Sequence, residues 1–269
     1  MIRRVVLVVL GLIWLGPTYL LLVNASRPAD AYDPASAWVP SGDFALFQNF
    51  STALERADLA QSLASTALYS VVSPLLGVLV GAMAGYTIVV LRLRFGFLWF
   101  MLIFGGTIFP SQMLLVPLFI GYSDAGLYDD RFGMLLLYTA INVPLAAFVL
   151  RNFYSGVAFS IFEAARMDGA STFRIFFRIY LPLSMSALAA VFILEFTFIW
   201  NDLIFGLVLT QSEGVRPVMV ALNGLITDVY AGTPVPVGLA AGLMVSLPTV
   251  ALFLATQRLF ARGLSLGSV

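Results

Sequence analysis

Six long stretches of this chain carry almost no charge, and that pattern constrains the fold more than any other feature. A helix needs roughly 20 apolar residues to cross a bilayer. Residues 5–23 are uncharged between Arg4 and Arg27, and 59–91 between Asp58 and Arg92. Residues 95–123 follow Arg94, and 132–150 lie between Arg131 and Arg151. Residues 179–212 are interrupted only by Glu195 and Asp202, and 229–257 precede Arg258. The reading is an all-α integral membrane protein, a single transmembrane domain over 1–269. Its six helices are expected at about 5–24, 64–90, 96–120, 132–151, 184–208 and 236–258. With 61% hydrophobic residues, 10% charged and a mean hydropathy of +0.98, a soluble domain of this length could not cover its surface. The first stretch has Arg3 and Arg4 in front and a cleavage-like Ala29-Asp30-Ala31 behind. Its apolar core exceeds that of a secretory signal, so it is read as an uncleaved helix.

Orientation follows from arginine. With both ends in the cytoplasm, the inner set is Arg3, Arg4, Arg92, Arg94, Arg151, Arg166, Arg174, Arg178, Arg258 and Arg262, and the outer set is only Arg27, Arg56, Arg131 and Arg216. The excess predicts cytoplasmic termini. The segments between spans are then an outer loop at 24–62, an inner loop at 152–183 and an outer loop at 209–235.

Composition closes several chemistries. The chain has no Cys and no His, and all 14 of its cations are Arg. Thiolate chemistry, histidine-based triads and zinc-protease motifs are absent. So is the lysine of a phosphate-binding loop, so the chain itself is expected to bind no ATP, cofactor or metal and to have no catalytic residue. A net charge of zero gives no electrostatic footprint for nucleic acid.

Pro17, Pro74, Pro110, Pro117, Pro144 and Pro248 fall inside the expected spans. Each removes a helix hydrogen bond, which membrane helices tolerate where neighbours or a cavity satisfy the freed carbonyl. Gly77, Gly81 and Gly85 share one helix face and read as a packing seam. In the first outer loop, 44–59 reads as an amphipathic surface helix. Asn24-Ala25-Ser26 and Asn49-Phe50-Ser51 match glycosylation sequons.

The inner loop is the most ordered segment outside the spans. Phe162-Glu163-Ala164-Ala165-Arg166-Met167-Asp168 is a good helix former, Gly169 ends it, and Ser171 is an N-cap for a second helix reaching Leu181. Pro182 then fixes the turn into the fifth span. The first of these helices suits docking to another protein, or an interfacial position on lipid.

These residues carry a resemblance. Glu163-Ala164-Ala165, three residues, Gly169, nine residues, Ile179, one residue, then Leu181-Pro182 is similar to the EAA loop of binding-protein-dependent ABC importer permeases, with every position filled. The surrounding Ala165-Arg166-Met167-Asp168-Gly169-Ala170-Ser171, Trp200-Asn201-Asp202, and Gly263-Leu264 after Gln257-Arg258 resemble the carbohydrate branch. The resemblance covers the whole chain, most closely residues 60–269, and is to the smaller six-span permease of the maltose type. It implies a subunit of an importer in the bacterial inner membrane. Its implied partners are a second permease in a heterodimer, a pair of ATPase subunits that use ATP and Mg, and an extracytoplasmic solute-binding protein delivering a carbohydrate. Glu163, Ala164, Ala165, Arg166, Met167, Asp168 and Gly169 would form the coupling helix docked on an ATPase. This chain would be a lever and half a channel rather than an enzyme. It stops at Gly267-Ser268-Val269, without the lysine-containing tail of many relatives, which puts that tail's contact with the ATPase pair in doubt.

Glu195, Trp200, Asn201 and Asp202 are the candidate substrate pathway. Trp200 could stack on a sugar face and Asn201 with Asp202 could bond hydroxyls, or the polar residues could clamp two permeases together, a role that suits Glu195 best. A membrane-embedded acid should face protein or water. The 211–236 segment, with Gly214, Gly224 and Gly232, would probe the binding protein or merely connect spans. Beside the sugar importer stand an intramembrane enzyme, for which only carboxylates and hydroxyls remain and no convincing catalytic pair shows, and two transport rivals. One is an ABC permease for another solute, such as a glycerol-phosphate ester or a polyamine. The other is a proton-coupled transporter relying on Glu195 and Asp202, which leaves the Glu163–Pro182 pattern unexplained.

Overall fold

The computed structural model describes residues 2–265 except Ala31, Phe109 and 229–231, without the side chains of Ile2, Ser111 and 257–265. Arg258, Arg262 and the Gly267–Val269 tail, all singled out above, therefore lie outside the described side chains. Every regular element among the described residues is helical. In chain order the α-helices are α1 (Ile2–Ala25), α2 (Leu46–Arg56), α3 (Leu59–Val89), α4 (Gly96–Gly105), α5 (Leu115–Asp124), α6 (Arg131–Ser155), α7 (Ser160–Met167), α8 (Thr172–Ile175), α9 (Leu181–Leu183), α10 (Met185–Trp200), α11 (Ile204–Leu209), α12 (Val218–Thr227) and α13 (Val235–Ser265). A π-helical turn, Phe176–Tyr180, joins α8 to α9.

Within α1, α3, α6 and α13, four stretches are long and apolar enough to cross a bilayer, and the bent pair Thr172–Leu183 plus Met185–Trp200 can supply a fifth. The stretch expected to cross unbroken at 96–120 does not. It is two short helices, α4 and α5, separated by a 3₁₀ turn at Ser111–Leu114 that follows Pro110. The expected continuous span at 184–208 is also interrupted, because α10 stops at Trp200 and α11 begins at Ile204.

The bundle is built on the pair α3 and α6. A Cβ on Gly77 would fall 2.7 Å from Asn142 Cβ, one on Gly81 would fall 2.7 Å from the Ala147 nitrogen, and one on Gly85 would fall 2.8 Å from the Arg151 nitrogen. Every fourth position of α3 is thus in backbone contact with α6, as the glycine spacing predicts. Lipid tails are as apolar as leucine, so close packing of this kind must hold membrane helices together. At one end of the bundle Val78, Ala82 and Tyr86 pack with Ala146, Leu150 and Tyr154. Towards the other end Tyr69 meets Leu137, Tyr138, Ile199 and Phe205.

The expected surface helix at 44–59 is α2, which buries Asn49 and Ala53 and leaves Phe44 and Phe47 of this segment exposed. Both sequon asparagines are consumed by the fold. Asn24 donates to the carbonyls of Leu20 and Ala37, and Asn49 donates to those of Ala25 and Arg27.

Residues 211–218 of the segment after α11 are tied to other elements. The Asp129 carboxylate accepts from the backbone of Gln211 and Ser212 at 2.8 and 2.9 Å. Ser65 and Tyr69 of α3 donate to the carbonyls of Gly214 and Val215, each at 2.8 Å, and Thr66 accepts from the Val218 N–H. Beyond this pinned stretch the chain forms α12, whose Val218, Ala221, Leu222 and Leu225 pack beside α2, α3 and α13.

Candidate functional site

Two regions carry the candidate residues, one at each end of α10. The first is the loop from α6 to α10. On α7 Ala165 turns inward at 8% exposure, while Glu163, Ala164, Arg166, Met167 and Asp168 are exposed, Met167 at 88%. The helix is closed by a pair of backbone bonds, Ala170 N–H to Ala165 C=O and Gly169 N–H to Arg166 C=O. This is the Schellman closure, which needs a left-handed residue just after the helix. Gly169 supplies it with φ +79°. Ser171 then caps α8, its hydroxyl accepting from the Arg174 N–H, as the sequence predicts. Five residues of the motif are therefore presented together on a short, tightly closed helix and its cap. Before α7, Phe159 stacks on Phe162 and lies under the Arg92 guanidinium at 3.9 Å, which ties the motif to the turn between α3 and α4.

The second region is an open cavity of about 880 Å³ between α10, α11, α13 and the turn at Gln112. It forms where the two interrupted spans meet. Non-helical backbone at membrane depth is tolerated only when buried in protein or lining a cavity, and here the chain does both. Asp202 sits in the gap between α10 and α11. Its carboxylate accepts from the Phe205 and Gly206 N–H groups at the start of α11 and from the Tyr138 hydroxyl at 2.9 Å. The acid thus satisfies backbone donors that the break releases, and it is 9% exposed. Asn201 is exposed on the cavity wall, its amide donating to the Thr197 carbonyl one turn back. Thr197 and Thr249 add hydroxyls to the wall, and Phe198 and Phe253, at 50% and 59% exposure, add apolar faces.

The other two pathway candidates are placed differently. Trp200 is 4% exposed, stacks on Phe196 and donates its indole N–H to the Val245 carbonyl at 3.0 Å. It bolts α10 to α13, so no ring face is left for a sugar. Glu195 is 2% exposed, and neither of its carboxyl oxygens has a hydrogen-bond partner among the described residues. One turn before it Val191 packs among Val78 and Ala146, and one turn after it Ile199 packs among Tyr69 and Tyr138. That position is inside this chain's own bundle, away from any face where it could clamp a second permease. Of the four residues, only Asn201 and Asp202 line the cavity, Asn201 exposed and Asp202 with its carboxylate held by Tyr138 and α11. Gln112, Thr249 and Phe253 were missed by the sequence reading. Pro110, two residues before Gln112, was the available signal.

Comparison with known proteins follows the same regions. Residues 75–265 match the family described as binding-protein-dependent transport system inner membrane component. The chain is 34% identical over 254 residues to the melibiose/raffinose/stachyose import permease MelC of Bacillus subtilis, covering 94% of this chain and 90% of that one. It is 31% identical over 202 residues to the trehalose transport system permease SugB of Mycobacterium tuberculosis, covering 74% and 72%. A crystal structure of a bacterial ABC transporter involved in import of the acidic polysaccharide alginate contains a chain of the same fold. The TM-score is 0.73 at 23% identity, over 96% of this chain and 94% of that one.

Proposed function

This chain belongs to the binding-protein-dependent transport system inner membrane component family, and from that premise we propose how its residues divide the work of an importer. The protein is a multi-pass inner-membrane subunit of an ATP-binding-cassette sugar importer. Its relatives include an import permease for melibiose, raffinose and stachyose and a trehalose transport system permease. The broken stretch α4–α5 counts as a span, as does α10–α11, so the chain crosses six times with both termini in the cytoplasm. Arg92, Arg94, Arg151, Arg166, Arg174 and Arg178 then share the cytoplasmic side.

The observation that carries the reading is the complete spaced motif from Glu163 to Pro182, whose first part lies on α7, closed at Gly169 and exposed at its charged positions. A lipid-facing helix would show a continuous apolar face, whereas Glu163, Arg166 and Asp168 accompany Met167 on the exposed surface of α7. That surface suits a groove on an ATPase subunit, which would bind ATP and Mg and do the hydrolysis. The permease has no catalytic role. A second permease completes the channel, and an extracytoplasmic binding protein delivers the sugar. In a wild-type pull-down from native membranes in mild detergent, a second permease and an ATPase are expected with this chain. Glu163→Lys reverses a charge on the docking face and should reduce ATPase recovery by about tenfold, the effect of losing one or two charge-assisted contacts. A well-folded homo-oligomer with no ATPase would instead point to a proton-coupled transporter.

The cavity beside Asn201 is this chain's share of the pathway. Its polar groups are the amides of Gln112 and Asn201 and the hydroxyls of Thr197 and Thr249, set among exposed Leu194, Phe198, Ile204 and Phe253, while its acid is occupied by Tyr138 and α11. Such a wall suits uncharged sugars. Asn201→Ala is expected to lower sugar uptake about three- to tenfold, the value of one hydrogen bond to solute, with basal ATP hydrolysis unchanged. Equal uptake rate and affinity in the variant would remove Asn201 from the pathway.

A further inference from the structure

The importer reading assigns a docking helix and a cavity but leaves open how displacement at one reaches the other. The connecting segment is α8, the π turn and α9, a rod over Thr172–Leu183 that meets Met185–Trp200 at a bend of 75°. A bend of this size would absorb a push unless something fixes it. Ser184 is the residue at the bend, and it is fully buried.

Its hydroxyl lies 2.9 Å from the Tyr180 carbonyl and 3.1 Å from the Leu181 carbonyl, and 3.1 Å from the Tyr154 hydroxyl on α6. Carbonyls only accept, so the single Ser184 proton goes to them. The Tyr154 hydroxyl is therefore the donor to Ser184 Oγ. The last turn of the rod, the bend and α6 are joined in one directional chain of hydrogen bonds. The other end of the rod is held as well, for the Tyr86 hydroxyl of α3 donates to the Thr172 carbonyl at 3.3 Å. Between these two anchors, the Tyr86 ring packs on Phe176 and Tyr180 at 5.2 and 5.1 Å, and Tyr154 packs edge-on to Tyr180 at 5.6 Å. All four rings are at most 3% exposed.

We propose that Tyr154 and Ser184 form the fixed joint through which movement of the docking loop becomes movement of α10 and of the cavity wall at its far end. The rod is gripped at its first residue by α3 and just past its last by α6, and those two helices are themselves locked by the glycine seam. Rod, α3 and α6 are thus held as one block, and the block carries α10 through Ser184, whose carbonyl accepts from the Leu188 N–H in the first turn of that helix. Tyr154 and Ser184 are positioning residues and need not touch solute or nucleotide.

The inference rests on the importer reading, and its test begins with the assembled wild-type importer in liposomes, where solute-stimulated ATP hydrolysis must first be seen. Its absence would count against the reading rather than the joint. Tyr154→Phe keeps the ring and removes the donor, and Ser184→Ala removes the acceptor. Each is expected to lower the sugar imported per ATP hydrolysed by roughly three- to tenfold, the equivalent of one buried hydrogen bond. Assembly and basal hydrolysis should stay as in the parent. If the two hydroxyls act as a pair, the double variant loses no more than either single one. An unchanged ratio in Tyr154→Phe, or losses that multiply in the double variant, would overturn the joint. A variant that merely melts earlier while keeping its ratio would do the same.

Discussion

Gly81→Leu is expected to abolish recovery of folded protein, although it exchanges one apolar residue for another in an apolar helix. Even the first carbon of the new side chain would sit 2.7 Å from the Ala147 nitrogen and 2.8 Å from the Ala146 carbonyl carbon. These are backbone atoms of α6, which cannot rotate aside as a side chain could. The helices would have to part along the whole seam, because Gly77 and Gly85 make the same approach a turn to either side. Overpacking in soluble cores costs typically 1–3 kcal/mol and sometimes more. Here the loss should exceed that range, since separating the helices forfeits the close packing on which association in a bilayer depends. The measurement is monodisperse recovery and thermal melting in detergent. Gly105→Ala and Gly11→Ala are the controls, for nothing lies within 4 Å of either added carbon. Parent-like melting of Gly81→Leu would show that the α3–α6 contact is not what holds the bundle.

That seam was legible in the sequence because a four-residue glycine spacing has few other meanings in an apolar helix. So were the membrane class, the α2 surface helix, the Gly169 turn and the Ser171 cap, all of which depend on local chemistry. The two interruptions were not. A proline such as Pro110 signals a lost hydrogen bond, but whether the helix bends, breaks or merely packs depends on what satisfies the freed groups. For the break after Trp200, that answer lies 64 residues away in sequence at Tyr138 and in the capping carboxylate of Asp202. The roles of Trp200 and Glu195 were hidden for the same reason. Both sit in a polar run that reads like a ligand site, yet the direction in which each points is set by α13 and by the α3–α6 pair. The sequence singled out the stretch from Glu195 to Asp202, and packing alone distinguished the exposed Asn201 from its buried neighbours. The pinning of 211–218 comes from Ser65, Thr66, Tyr69 and Asp129 on other elements, none of which a local reading could have joined to it.

Gly169→Pro is expected to abolish transport while the protein still inserts and accumulates. Proline holds φ near −65°, and Gly169 has φ +79°. The substitution also deletes the N–H that bonds the Arg166 carbonyl. Both halves of the closure that ends α7 are thereby lost, and Ala170 can no longer turn back to reach Ala165. The site is exposed and an added Cβ would meet nothing within 4 Å, so the damage should be confined to the path of the chain and not spread into the core. A graded series separates these effects. Gly169→Asn tolerates the left-handed conformation and should transport nearly as well as the parent. Gly169→Ala keeps the N–H but pays about 1 kcal/mol for the conformation, and should lose a few-fold in coupling. Proline should lose transport altogether, with ATP hydrolysis in the assembled complex no longer stimulated by loaded binding protein. The order Asn, Ala, Pro follows the backbone requirement and not side-chain size or polarity. If instead a well-expressed Gly169→Pro imports normally, the closed end of α7 cannot be where the ATPase engages, and the docking surface must lie elsewhere on the cytoplasmic face.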